Sequence, residues 1–158
     1  MVFPKIGNLA PAFTLTNQNG EKVSLKDFRG KKHLVLYFYP KALTPGCTTQ
    51  ACGIRDSAEA FEQRNTVVLG VSPDSVGKLQ RFIEKHGLNF DLLSDEEHKI
   101  AEKYGCWGLK KFMGREYMGL IRTTYIIDKS GRLRHIIDRV NTKTHDTEVL
   151  NWIDEHLN

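Results

Sequence analysis

The longest apolar runs in the chain are LVLYFY at 34–39 and VVLGV at 67–71. Short continuous runs bounded by polar residues are the pattern of strands buried on both faces, so HLVLYFY at 33–39 and TVVLGVS at 66–72 are read as two such strands. Between them, Cys47, Ala51, Ile54, Ala58 and Phe61 recur at spacings that put them on one stripe of a helix predicted over about 45–64. Upstream, FTLTNQNGEKVSL at 13–25 alternates on either side of Asn19-Gly20, which predicts a β-hairpin closed by a tight primed turn. Downstream, Ser72-Pro73 predicts a capped helix start, with Val76, Leu79, Phe82 and Ile83 on one face and Gly87 at the end. Ser94 and Glu97 form a capping-box pattern ahead of a helix carrying Ile100 and Tyr104. Strands at 123–128 and 132–138 flank Lys129-Ser130-Gly131, and a last helix carries Val149, Leu150, Ile153 and Leu157. Strands alternating with helices, with an antiparallel hairpin at each end, predict an α/β sandwich with a mixed central sheet covered on both faces. No linker or repeat divides residues 1–158, which read as a single domain.

One stretch fits no period. Residues 105–121 contain four glycines among Trp107, Phe112, Met113, Tyr117 and Met118. Connections of this length are usually functional or disordered, and two readings stand: the aromatics pack back onto the sheet, or they form a lid or docking surface.

Composition narrows the class of function. Hydrophobic residues make up 40% and charged residues 27%, the balance of a soluble globular protein. The charge of +4 comes from 23 basic and 19 acidic residues that are interspersed, which argues against a nucleic-acid partner. Neither apolar run is long enough to cross a bilayer, and MVFPKIGNLAPAF lacks the apolar core of a secretory signal, so a cytoplasmic protein with no membrane partner is expected. Three cysteines are an odd number, unsuited to a disulfide scaffold, and in a reducing compartment paired cysteines point to catalysis or metal. Zinc wants about four closely spaced ligands, yet the histidine nearest to Cys47 in sequence is His33, inside a predicted strand. No metal or cofactor is expected.

The chemistry then rests on YPKALTPGCTTQAC at 39–52. Cys47 falls in the first turn of the predicted helix, with Thr44 placed to cap it and Pro45 at its first position. Helix N-termini stabilise thiolates, and their unpaired N–H groups can hold an anion or a polar oxygen beside the sulfur. A cysteine on a core stripe is otherwise an inert small hydrophobe, but the N-terminal placement and the second thiol favour the reactive reading. Cys52 lies off the stripe: five residues turn a helix by about 140° and separate the two Cα atoms by ~8.6 Å. A disulfide needs less than ~7 Å, so the pair cannot bond while the helix is intact. That suits a partner engaged after a first step, or an incidental exposed thiol. Gly46, Thr48, Thr49 and Gly53 give this segment low intrinsic helicity.

The stretch PKALTPGCTTQACGIRD resembles the active-site segment of peroxiredoxins, whose signature is Pro, three residues, Thr, two residues, Cys. With FYPKA before it and a second cysteine five positions on, it is similar to the bacterioferritin comigratory, or Q-type, subfamily. The likeness runs from GNLAPAFTL through VLGVSPD, NFDLLSDEEHKIAEKYG and RTTYIID to VLNWIDEHL. The resemblance implies a thioredoxin-like three-layer fold and reduction of hydrogen peroxide and organic hydroperoxides. It implies Cys47 as the peroxidatic cysteine, Thr44, Pro40 and Arg122 as the rest of the peroxide pocket, and Cys52 as the resolving cysteine. It further implies thioredoxin, or a similar dithiol protein, as reductant and a monomeric chain. Cys106 has no counterpart in the motif. Two rival readings are a protein dithiol-disulfide oxidoreductase, which usually carries Cys-x-x-Cys rather than the spacing here, and a redox-controlled chaperone module using residues 105–121.

Overall fold

The computed structural model describes residues 2–157. Strand β1 (Thr14–Asn17) turns back on β2 (Lys22–Ser24) in antiparallel register. The turn differs from the expected primed one. Gly20 alone takes a positive φ, of 78°, the Gly20 N–H bonds the Asn17 carbonyl, and the Asn17 N–H bonds Glu21, giving a three-residue loop. Asn17 explains this: its side-chain oxygen accepts from the amides of Asn19 and Glu21 and holds the wider loop.

Strand β3 (His33–Phe38) is buried throughout, as its composition requires. Val35 and Tyr37, with Tyr39 just beyond, belong to one core, and Leu34, Leu36 and Phe38 to the other, the period-two division of a central strand. Helices α1 (Pro45–Asp56) and α2 (Ala58–Gln63) replace the single expected helix. They break at Ser57, whose hydroxyl donates to Asp146 at 2.7 Å. Strand β4 (Thr66–Ser72) pairs parallel with β3 in the register Leu36↔Leu69.

Helix α3 (Val76–His86) starts later than Ser72-Pro73 suggested. Ser75 is its cap, accepting from the Lys78 amide, while the Ser72 hydroxyl donates to Asp74. Gly87 closes the helix in the left-handed conformation, as expected. Strand β5 (Leu92–Ser94) and helix α4 (Lys99–Lys103) follow. The Ser94/Glu97 capping box is absent, because Ser94 ends the strand and bonds the Asp74 carbonyl. The Asp95 carboxylate instead accepts from the Ile100 and Ala101 amides.

Residues 105–121 form an antiparallel hairpin, β6 (Trp107–Phe112) and β7 (Arg115–Leu120), in a two-stranded sheet of their own. Its tip, Met113-Gly114, has both φ values positive, the primed turn expected at Asn19-Gly20. Trp107 stacks on His98 with ring centroids 3.8 Å apart, while Leu109, Phe112, Met113, Tyr117 and Met118 are exposed. Strands β8 (Thr123–Ile127) and β9 (Leu133–Ile137) and helix α5 (His145–His156) complete the chain. The seven-stranded mixed sheet has the order β2-β1-β5-β4-β3-β8-β9. Helices α1, α2, α3 and α5 pack on one face, and α4 with Ala10 and Phe13 on the other, the three layers of the thioredoxin-like sandwich.

Candidate active site

The site forms where β3 ends. Because β8 runs antiparallel to β3 with Phe38 opposite Thr123, Arg122 arrives beside the exit of β3, where the chain turns into α1. The connecting loop is pinned from the far side. The Asp74 carboxylate accepts from the Ala42 amide at 2.7 Å and from the Ser72 hydroxyl at 2.7 Å, and both contacts are buried. Leu43 is held at φ 68°, a conformation that costs a residue with a side chain about 1–2 kcal/mol. Half-buried Pro40 follows directly on Tyr39 and leads the chain out of the sheet.

Cys47 lies in the first turn of α1 and is only 1% exposed. The Nη2 group of Arg122 donates to its sulfur at 3.4 Å. Gly46 lies beside the guanidinium: a Cβ there would stand 3.4 Å from Nη2, in ordinary van der Waals contact. Thr44 stands at the cap position, but its side chain does not cap the helix: the hydroxyl donates to the Lys41 carbonyl at 2.7 Å. The Thr44 carbonyl accepts the Thr48 amide, so the amides of the preceding turn are the helix's unpaired donors at the sulfur's end. Cys52 is half-buried on the same helix, and all three cysteines are free thiols.

Four side chains that the sequence reading did not single out complete the site. Arg122 Nη1 donates to Gln50 Oε1 at 2.6 Å, Gln50 Nε2 meets His145 Nδ1 at 3.2 Å, and His145 Nε2 meets Thr124 Oγ1 at 2.8 Å. Gln50, His145 and Thr124 are all buried. Burial pushes the His145 imidazole down to about 4, an effect that Asp146 opposes and Arg122 adds to. Lys110 of β6 bonds the Leu120 carbonyl. Burial and then Arg122 lower the basicity of its amine, while Cys47 opposes the shift. Gln50 was within reach of sequence reasoning, being three residues from Cys47 and therefore on the same helix face; the others come from distant segments.

Cys106 is outside this arrangement. It is fully buried in the opposite core, with burial pushing its thiol up to about 12. Among the described residues no group of three or more His, Cys, Asp or Glu is placed to hold a metal ion, and no helix is long and apolar enough to cross a membrane.

A thioredoxin-like sandwich that seats a cysteine at a helix N-terminus under an arginine just ahead of the adjoining strand defines the thiol peroxidase class. The chain belongs to the AhpC/TSA family, which it matches over residues 6–136. It is 51% identical over 152 residues to the peroxiredoxin Bcp of Escherichia coli, covering 96% of this chain and 97% of that one. Among solved structures, a mutant PrxQ of Xylella fastidiosa superposes with a TM-score of 0.93 at 30% identity over 100% of both chains. The bacterioferritin comigratory protein of Xanthomonas campestris superposes with a TM-score of 0.87 at 29% identity over 92% of each chain. Trapped intermediate and ligand complexes of that protein were solved for insight into its alkyl peroxide reduction activity.

Proposed function

We propose that the chain reduces hydrogen peroxide and alkyl hydroperoxides with Cys47 as the attacking thiolate. The observation that carries this is the Arg122 guanidinium 3.4 Å from the Cys47 sulfur at the start of α1. The thiolate attacks one peroxide oxygen, the O–O bond breaks, and the second oxygen leaves as hydroxide or alkoxide that takes up a proton. Negative charge grows on that oxygen in the transition state, where Arg122, the first-turn amides of α1 and the Thr44 hydroxyl, once released from Lys41, are donors. Pro40 shapes the turn that presents them.

The sulfenic acid left on Cys47 is electrophilic at sulfur. Cys52 attacks it, forming the Cys47–Cys52 disulfide and releasing water. A dithiol protein, for which thioredoxin is our reading, exchanges with that disulfide, returning both thiols and carrying away the oxidised pair. The working form is taken to be a cytoplasmic monomer.

The test is peroxide consumption by the parent, Cys47→Ser and Cys52→Ser proteins with thioredoxin and its reductase. Cys47→Ser should be inactive, because a serine hydroxyl is not ionised at neutral pH. Cys52→Ser should consume one equivalent of peroxide, leave a trappable sulfenic acid and fail to turn over with thioredoxin. Activity retained by Cys47→Ser, or full turnover by Cys52→Ser, would overturn the corresponding role. Gel filtration with light scattering tests the monomer.

A further inference from the structure

A buried polar chain leads away from the peroxide site and ends at a residue that touches neither sulfur nor substrate. Its direction is fixed by donor counting. Arg122 has only donors, so the group of Gln50 that meets it must be the carbonyl oxygen, and the Gln50 NH2 therefore faces His145. Nδ1 of His145 must then present a lone pair, which leaves the proton on Nε2, where it is donated to the Thr124 hydroxyl oxygen 2.8 Å away. The neutral ring this requires agrees with its burial and lowered basicity. Gln50, His145 and Thr124 lie on α1, α5 and β8, so the chain ties three elements together beneath Arg122. Apolar side chains of similar size can often fill such a space with equal stability, so what the polar chain adds is orientation.

We infer that His145 is a positioning residue for peroxide reduction: its Nδ1 holds the Gln50 amide so that the Gln50 oxygen clamps Arg122 Nη1 and leaves Nη2 aimed at Cys47. The inference rests on the role proposed for Arg122. It predicts that His145 acts only through Arg122.

Stopped-flow rate constants for peroxide with the reduced protein test this in a double-mutant cycle. Arg122→Ala should slow the reaction by about 10²-fold, the effect of removing an oxyanion donor. His145→Leu should slow it about tenfold, the order of one lost hydrogen bond. The double variant should match Arg122→Ala alone, because no clamped guanidinium remains to be misaligned. His145→Asn, whose amide oxygen can replace Nδ1 as acceptor, should recover most of the loss. Nitrogen NMR of the unmodified reduced protein, which depends on no variant folding, should show the neutral ring protonated at Nε2. Slowing that multiplies in the double variant, a normal rate in His145→Leu, or a proton on Nδ1 would each overturn the inference. A normal rate in Arg122→Ala would instead overturn the reading of the site on which it rests.

Discussion

Oxidation of the protein by one equivalent of hydroperoxide should unwind the start of α1 and little else. In the helix spanning Pro45–Asp56, positions 47 and 52 are separated by ~8.6 Å between Cα atoms, and a disulfide tolerates less than ~7 Å. Closing the bond therefore removes the helical amide bonds of residues 48–52, about five in number. The first of these, Thr48 to the Thr44 carbonyl, is 2.9 Å long in the reduced protein. Local resistance is low. Gly46 and Gly53 each weaken a helix by about 1 kcal/mol relative to alanine, Thr48 and Thr49 by up to about 0.7 each. The Thr49 hydroxyl also bonds back to the Pro45 carbonyl, a contact that tends to bend helices. Unwinding should stop short of α2, because Ile54 and Phe61 are buried and Ser57 is tied to Asp146. Hydrogen exchange read by mass spectrometry should show about five extra deuterons in a peptide covering residues 45–55 of the oxidised protein. Peptides covering β3 and β4 should be unchanged. Equal uptake in both redox states, with the Cys47–Cys52 bond verified by mass, would refute the reasoning.

Three further outcomes are expected. His145 binds a proton less readily in the folded protein than in the unfolded chain. Its contribution is therefore complete above its ordinary value near 6.5 and is lost as pH falls toward about 4. Urea unfolding should show a loss of about 2 kcal/mol between pH 7 and 5 that disappears in His145→Asn. Gly70→Ala should destabilise by about 1–3 kcal/mol in the same assay, because its Cβ would meet Leu92 at 2.8 Å and the Tyr37 ring at 3.0 Å; an unchanged midpoint would mean those side chains yield freely. Cys106→Ala should keep thioredoxin-coupled turnover within about twofold, since a buried thiol pushed up to about 12 is a poor nucleophile. Loss of turnover would give Cys106 a redox role.

The legible parts of the chain were those where one physical demand dominates. Strands β3 and β4 are buried on both faces and read as unbroken apolar runs; the stripe ending in Cys47 follows helical spacing because α1 packs one side on the sheet. Misreadings arose where a polar side chain had two possible employers. Ser72 and Ser94 look like helix caps but serve the Asp74 turn, leaving Ser75 and Asp95 to cap. The hairpin of β6 and β7 escaped notice because much of it is exposed on both faces, so no alternation marks it, and its tip is Met-Gly rather than Asn-Gly. Within the site, Cys47 was legible from its place in the first turn of a predicted helix, whereas Arg122 was reached only through the family resemblance. The His145 and Thr124 ends of the polar chain lie 98 and 77 positions from Cys47, and no local pattern links such separations.

That hairpin also bears on how copies of the chain behave toward one another. Among the described residues β6 and β7 pair only with each other, so each keeps one edge without a strand partner, beside exposed Leu109, Phe112, Tyr117 and Met118. Free edges flanked by apolar side chains are templates for strand addition between molecules. Lys111 is paired with Glu116 at 3.4 Å and Lys110 is turned onto the Leu120 carbonyl, yet with Arg115 the two strands keep a net positive charge, so two hairpins meeting edge to edge would bring like charges together. This defence is electrostatic and weakens with salt, as the screening length falls from about 10 Å at 0.1 M to ~3 Å at 1 M. Concentrated salt, which calms most charged surfaces, is therefore the condition under which light scattering should first detect self-association, and Lys111→Thr should lower the salt concentration at which it begins.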